Sequence, residues 1–262
     1  MTSVVGVRKT DGSAGDADYA AIGNGYSVYR QPEPEWAAAI LAALGDARTV
    51  LNVGAGAGSY EPTDREVTAV EPSATMRANR PTHLPVAVDA TAEDLPFEDD
   101  AFAGSMATFS VHQWGDLARG LSELRRVTAG PVVLLTCDPD RLADYWLDDY
   151  APEVIATEAR RYPKPSAVAA LLGGDVTVTT VPIPLHCTDR VNDAYYGRPE
   201  GLLDPGARLA NSAWSFVGAD VEQRFVEHLS RDLETGAWDE RWGHLRAQSR
   251  LEGALVLIVG RP

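Results

Sequence analysis

Residues 49–59 read TVLNVGAGAGS: a short apolar run, Val50, Leu51 and Val53, followed at once by Gly54, Gly56 and Gly58. The run predicts a buried strand, and the glycines let the backbone turn tightly at its end and come close to a ligand. A dinucleotide loop of the form GxGxxG needs a third glycine at position 59, where Ser59 stands, so the spacing here is GxGxG. Only SYEPTDRE (59–66) then separates the loop from the next apolar run, and Pro62 interrupts it. Little helix can form there, so the N-terminal helix dipole that cradles a pyrophosphate is not expected.

Working outward, VTAVE (67–71) reads as a second strand ending in Glu71 and Pro72, and PSATM (72–76) follows it. A carboxylate at that strand end can accept hydrogen bonds from both ribose hydroxyls. The Met76 thioether is soft enough to lie on an adenine face. A cofactor without phosphates fits this loop, and S-adenosylmethionine meets that description. PVAVDA (85–90), FAGSMATFS (102–110) and PVVLLTC (131–137) continue the series of strands. Between the last two, Leu117, Leu121, Leu124 and Val127 of DLARGLSELRRV (116–127) share one helical face, and upstream Trp36, Ile40 and Leu44 of EPEWAAAILAAL (33–44) share another, closed by Gly45. This alternation predicts a parallel sheet with crossover helices. DVTVTTVPIPL (175–185) and LEGALVLIVG (251–260) read as later strands. The stretch between them is too long for a plain connection. Val217, Val221, Phe225 and Leu229 have helical spacing within it, which predicts a helical lid.

The composition narrows the function. With 38 acidic and 23 basic side chains in 262 residues, the formal charge is −15. Nucleic acids and anionic membranes are disfavoured as partners, because both are held by surplus Lys and Arg. No apolar run reaches the roughly 20 residues of a membrane helix, and the polar, Gly-rich start lacks a secretory core, so a cytoplasmic protein is expected. Cys137 and Cys187 are too few for a disulfide framework, and the five histidines have no ligand spacing, so no metal is expected.

Taken together, VLNVGAGAGSYE (50–61), TAVEPSATM (68–76), DATAEDLPFEDDAF (89–102) and FSVHQWGDLARGLSELRRV (109–127) resemble, in order, the motifs of the class I S-adenosylmethionine-dependent methyltransferases. The third segment is similar to that of the ubiquinone and menaquinone C-methyltransferases. YAAIGNGYSVYRQPEPEW (19–36) is similar to the entry helix of trans-aconitate-type enzymes. The resemblance implies that Tyr26 or Tyr29, with Arg30, faces the methionine carboxylate, a good partner for a guanidinium fork. It puts Gly54, Ala55 and Gly56 at the methionine end, Glu71 and Pro72 at the ribose, Met76, Ala92 and Glu93 at the adenine, and Phe109 and Ser110 along the amino-acid side. Two positions depart from the pattern. Asn52 stands where an acid is usual before the glycines, and Thr91 where an aspartate usually contacts adenine. Recognition of the exocyclic amine is then left to a hydroxyl, a backbone carbonyl or Asp89.

The fold expected is α/β: a Rossmann-like sheet of seven strands, mostly parallel with the last antiparallel, helices on both faces, and a helical lid before the last strand. Residues 1–18 read as a flexible tail, 19–187 with 251–262 as the cofactor-binding domain, and 188–250 as the lid. A sulfonium methyl is already electrophilic, so the protein mainly aligns an acceptor in a dry site. His112, just after the fourth strand, is the candidate base. The candidate acceptor contacts are Trp114, Trp146, Tyr150, Tyr195, Tyr196, Arg198 and Trp214. These aromatics indicate a flat or apolar small molecule, with Arg198 able to receive a carboxylate. Methylation at oxygen or nitrogen is the main reading, by a monomer or homodimer. Transfer to carbon, and a non-methylating cofactor-binding protein or cyclase, are the alternatives. There is no GxSxG elbow for a hydrolase, and Ser59 with the short segment after it weighs against a dehydrogenase.

Overall fold

The computed structural model describes residues 26–262, with side chains from Val28 onward. The expected tail of residues 1–18 and the Tyr26 side chain lie outside the described residues. Helix α1 (Tyr26–Tyr29) leads into α2 (Pro34–Leu44), which starts at Pro34, has its first turn capped by the Glu33 carboxylate and ends at Gly45, φ 56°. Its Trp36, Ile40 and Leu44 are buried, as their spacing predicts.

Strands β1 (Thr49–Val53) and β2 (Glu66–Val70) follow, then α3 (Ala74–Ala78), β3 (Gly104–Thr108), α4 (Leu117–Arg126) and β4 (Val132–Cys137). Next come α5 (Leu147–Tyr150), α6 (Pro152–Arg161), α7 (Pro165–Leu172), β5 (Asp175–Thr180) and β6 (Ile183–Pro184). Helices α8 (Pro205–Leu209), α9 (Ala219–Thr235) and α10 (Ala237–Trp242) precede β7 (Arg250–Leu251) and β8 (Leu255–Arg261). The main sheet has the order β2-β1-β3-β4-β8-β5. Its first four strands are parallel, and β8 runs antiparallel to both neighbours, as expected for the last strand.

The main sheet has six strands where seven were expected. The segment 85–90 contributes a single bridge, Val88 to Val70, because Pro85 has no N–H to donate and the segment lies at the sheet's edge. The expected strand 175–185 also divides. Pro182 ends the main-sheet pairing, and β6 pairs instead with β7 in a separate small sheet. The final strand is likewise split, into β7 and β8.

Alternation along the strands sorts the core into two layers. Val50, Met106, Val133 and Leu257 face α2, while Leu51, Ala107, Leu134 and Ile258 face α4 and α7. Each fully buried leucine of α4, Leu121 and Leu124, stabilises the fold by about 1.5–3 kcal/mol. The α2 layer continues into the insertion through Trp146, Trp214, Phe225 and Trp238, so the helices before β7 share one hydrophobic cluster with that sheet face. The architecture is Rossmann-like, with helices on both faces. No helix among the described residues is long and apolar enough to cross a membrane.

Candidate active site

Strands β1, β2 and β3 end at the same edge of the sheet. From β1 the chain goes to β2 on one side and to β3 on the other, and a crevice opens where the strand order reverses. A cavity of about 920 Å3, its open mouth included, occupies that crevice, a size that suits a small-molecule ligand. Gly54, Ala55 and Gly56 form its floor, with Glu71, Pro72 and Met76 beside them. Thr91, Ala92, Glu93 and Trp114 close one end, and Arg30, Phe109, Ser110 and Asp189 the other.

The glycine loop has little room to vary. Gly54 sits at φ 69°, and a Cβ there would fall 2.5 Å from the Ser110 Cβ; a Cβ on Gly56, φ 52°, would meet the Met76 Cε at 3.2 Å. Ser110 ties the β3 end to β1 by donating its hydroxyl to the Val53 carbonyl at 3.0 Å. The buried Glu71 carboxylate accepts the Gly56 and Ser73 N–H groups, each at 2.8 Å. Burial pushes its pKa up, and the two N–H donors partly offset that. Each oxygen keeps a further acceptor site.

Behind the loop, Arg80 donates to both Glu61 oxygens at 2.9 Å and to the Gly56 carbonyl at 3.3 Å. The Asn52 amide donates to Glu61 at 3.1 Å. Asn52, expected as a cofactor contact that could still accept a hydrogen bond, is instead tied to Glu61 behind the loop and is not among the residues lining the cavity. Asp89 is also turned away, paired with Arg77 at 3.1 Å, which leaves Thr91 on the cavity wall.

Arg30 and Phe109 divide this cavity from a second one of about 630 Å3. Arg30 donates through Nε to Asp189, whose other oxygen accepts the Tyr60 hydroxyl at 2.7 Å. Tyr60 in turn accepts the Glu33 N–H at 3.1 Å. The Phe109 ring stands 5.1 Å from the Arg30 guanidinium and 6.1 Å from the Trp36 ring. Its φ of 50° is costly for a bulky residue, and it turns the side chain onto the dividing wall just past β3. Tyr29 departs from expectation. It lines neither cavity and donates its hydroxyl to Asp204 at 2.7 Å, toward the insertion.

The second cavity is closed by His112, Cys137, Glu158, Tyr162, Asn192 and Asp193. The His112 ring packs 4.4 Å from that of Tyr162. The Trp214 indole N–H donates to the Asn192 oxygen at 3.0 Å, so the Asn192 amide must offer its N–H groups to Glu158, at 3.1 Å. Burial, reinforced by the neighbouring Asp193 charge, pushes the Glu158 carboxyl up to about 7. Burial likewise raises Asp193 to about 6, against the hydrogen bond from the Ala254 N–H and the Arg141 charge.

A stability prediction follows from these directions. A carboxyl whose folded pKa is raised binds more protons folded than unfolded between its two values. The protein therefore loses stability as pH rises from about 4.5 through 7. Glu158→Gln should melt close to wild type at pH 5. At pH 8 it should be more stable by about 3 kcal/mol, measured by thermal unfolding across that range.

Most of the expected acceptor contacts are not at either cavity. Trp146 is fully buried and donates its indole N–H to the Tyr196 carbonyl. Tyr196 is fully buried with its hydroxyl on the Gln248 carbonyl, and Tyr150 donates to Asp232. Tyr195 packs over Gly201, and the Arg198 guanidinium points to the Cys187 and Ala194 carbonyls. Trp214 acts on the second cavity only through Asn192, while Trp114 lines the first cavity and packs over Gly120. Aromatics at helical spacing have gone into the insertion's own core.

The residues that sequence reading missed are Tyr60, Gln113 and Asp189 at the first cavity, and Glu158, Tyr162 and Asp193 at the second. Glu158 had a signal. It sits four residues after Val154 and three after Ile155, so it continues the apolar face of α6. Asp189 had none, because its position depends on a bridge to Arg30, far upstream in the chain.

Residues 51–135 match the family model described as a methyltransferase domain. Among solved structures, the chain is similar to a protein from Anabaena variabilis described as a methyltransferase of an antibiotic biosynthesis pathway. The two are 25% identical, the match covers 88% of this chain and 98% of that one, and the TM-score is 0.83. It is also similar to a Thermotoga maritima protein described as an S-adenosylmethionine-dependent methyltransferase and possible histamine N-methyltransferase. That match is 16% identical over 91% of this chain and 93% of the other, with a TM-score of 0.53, and bears on the fold alone. No curated protein matches the sequence.

Proposed function

We propose that the chain is a class I S-adenosylmethionine-dependent methyltransferase that methylates an oxygen or nitrogen of a small-molecule acceptor held in the second cavity. The observation that carries this reading is the shared wall: Arg30 and Phe109 border both cavities. A methyl carbon passing that wall would go directly from one cavity into the other.

The first cavity fits the cofactor. Gly54 and Gly56 leave the backbone bare where a ligand must approach closely, and Glu71 keeps acceptor capacity for two ribose hydroxyls. In this reading Met76, Ala92, Glu93 and Trp114 take the adenine. Arg30 takes the methionine carboxylate, held in place by Asp189 and Tyr60. When bound, S-adenosylmethionine supplies an electrophilic methyl whose bond to sulfur breaks with the electron pair left on sulfur, as the acceptor's lone pair forms the new bond.

The rest is the chain's own work. Phe109 and Tyr162 keep the acceptor's approach dry, and the insertion closes over it as a lid. His112 stands at the second cavity, just past β3, and takes the acceptor's proton. His112→Ala is expected to lower kcat with the true acceptor by roughly a hundredfold, leaving S-adenosylmethionine affinity unchanged. Full turnover from pH 6 to 9 would remove the base assignment.

The proposed function is tested by incubating the protein with methyl-labelled S-adenosylmethionine and fractionated small-molecule extracts. Label is expected on a small molecule. Label appearing only on protein or nucleic acid would refute the reading.

A further inference from the structure

We propose that the second cavity takes an amine acceptor, its ammonium group held by Glu158 and Asp193 against the aromatic faces of Tyr162 and Phe109. The inference rests on the reading of that cavity as the acceptor site.

Charge and shape carry it. The two carboxylates border the same cavity, and neither has a guanidinium or ammonium partner among the described contacts. Glu158 is held by the Asn192 amide, a neutral donor. Asp193 accepts the Ala254 N–H at 3.2 Å, also neutral. The guanidinium on the same wall, Arg30, is paired with Asp189 and, in the proposed reading, is given to the methionine carboxylate in the first cavity. Arg161, at the end of α6, donates to the Ser212 hydroxyl at 2.9 Å and lies over the Phe216 ring. A carboxylate ligand would meet two acids and no spare cation. An ammonium supplies the missing counter-charge, and the aromatic rings on the same wall attract it through their faces.

The protonation of the two carboxyls agrees with this. Burial, with the adjacent acid, holds Glu158 at about 7. Burial holds Asp193 at about 6. The groups that set these values are Asn192, Arg161 and Arg30 around Glu158, and Tyr145, Arg141 and Asp144 around Asp193. The thiol of Cys137 and the hydroxyl of Tyr162 border the same space, and burial pushes both well above their ordinary values, so neither contributes charge near neutrality. His112 is the remaining titratable group on this wall. A bound cation draws the carboxylates into their charged form, and protons leave.

For transfer, the ammonium gives one proton to His112, and the freed nitrogen lone pair bonds to the methyl carbon as its bond to sulfur breaks. The positive charge moves from sulfur to nitrogen, and no further reactant is needed.

The test uses the full chain saturated with S-adenosylhomocysteine, titrated calorimetrically with 2-phenylethylamine, 2-phenylethanol and 3-phenylpropanoate. The amine is expected to bind at least roughly tenfold more tightly than either analogue, and Glu158→Gln and Asp193→Asn should each remove about that factor. S-adenosylhomocysteine affinity should stay at the wild-type value, which also reports that the variants are folded. At pH 6, amine binding should release protons, seen as a heat that changes with the buffer's ionisation enthalpy, and at pH 8 the release should shrink. The inference is overturned if the alcohol or carboxylate binds as well as the amine, if no amine binding is found, if both variants bind the amine normally, or if no protons are released. Should the extract experiment label an acid or an alcohol, the amine assignment fails while small-molecule methylation stands. Should it label no small molecule, both fail.

Discussion

Replacing Glu71 with alanine is expected to weaken S-adenosylmethionine binding by roughly a hundredfold to a thousandfold. Two ribose hydroxyls lose a charged acceptor, and hydrogen bonds to charged groups contribute about 1.5–3 kcal/mol each. The loss has a second part. The Gly56 and Ser73 N–H groups, both now 2.8 Å from the carboxylate, lose their acceptor, so the loop is less well held before any ligand arrives. Glu71→Gln separates the two parts. An amide keeps one acceptor oxygen but turns an N–H toward a backbone N–H, so it should also bind poorly despite its matching shape. Calorimetric titration of both variants measures this, and affinities within threefold of wild type would exclude Glu71 from the ribose site.

The second large effect is expected at Gly54. A methyl there would lie 2.5 Å from the Ser110 Cβ and 2.7 Å from its Oγ, at a backbone φ of 69° that L-residues avoid. Overpacking of this kind costs about 1–3 kcal/mol, and the left-handed backbone adds about 1–2 kcal/mol. Gly54→Ala should therefore lower the melting temperature by roughly 5–12 °C and leave no measurable S-adenosylmethionine binding. The double variant Gly54→Ala with Ser110→Gly removes the clash and keeps the strain, so it should recover part of the lost stability. No recovery would show that the contact with Ser110 is not what limits the loop.

The first cavity was legible because its determinants are local. The run TVLNV, its glycines and Glu71 lie within one strand–loop–strand unit, so spacing alone orders them at the crevice. The second cavity was not. Glu158, Asp193 and Asn192 meet from α6 and the insertion, and the Asn192 orientation depends on Trp214. No local pattern encodes such a meeting. The aromatics drew attention by number, yet Tyr196 and Trp238 of the insertion are fully buried and pack in one core with Trp146 from the segment after β4. The missing seventh strand has a plainer cause: the apolar alternation of 85–90 suits a strand, but Pro85 removes a donor and leaves only the Val88 bridge.

The most direct measurement is a crystal structure of the chain with S-adenosylmethionine bound. The account predicts the ribose on Glu71, the methionine carboxylate at Arg30, and the methyl carbon directed past Phe109 toward His112 and Glu158. A cofactor whose methyl faces the open mouth of the first cavity, or whose adenine occupies the second, would contradict it.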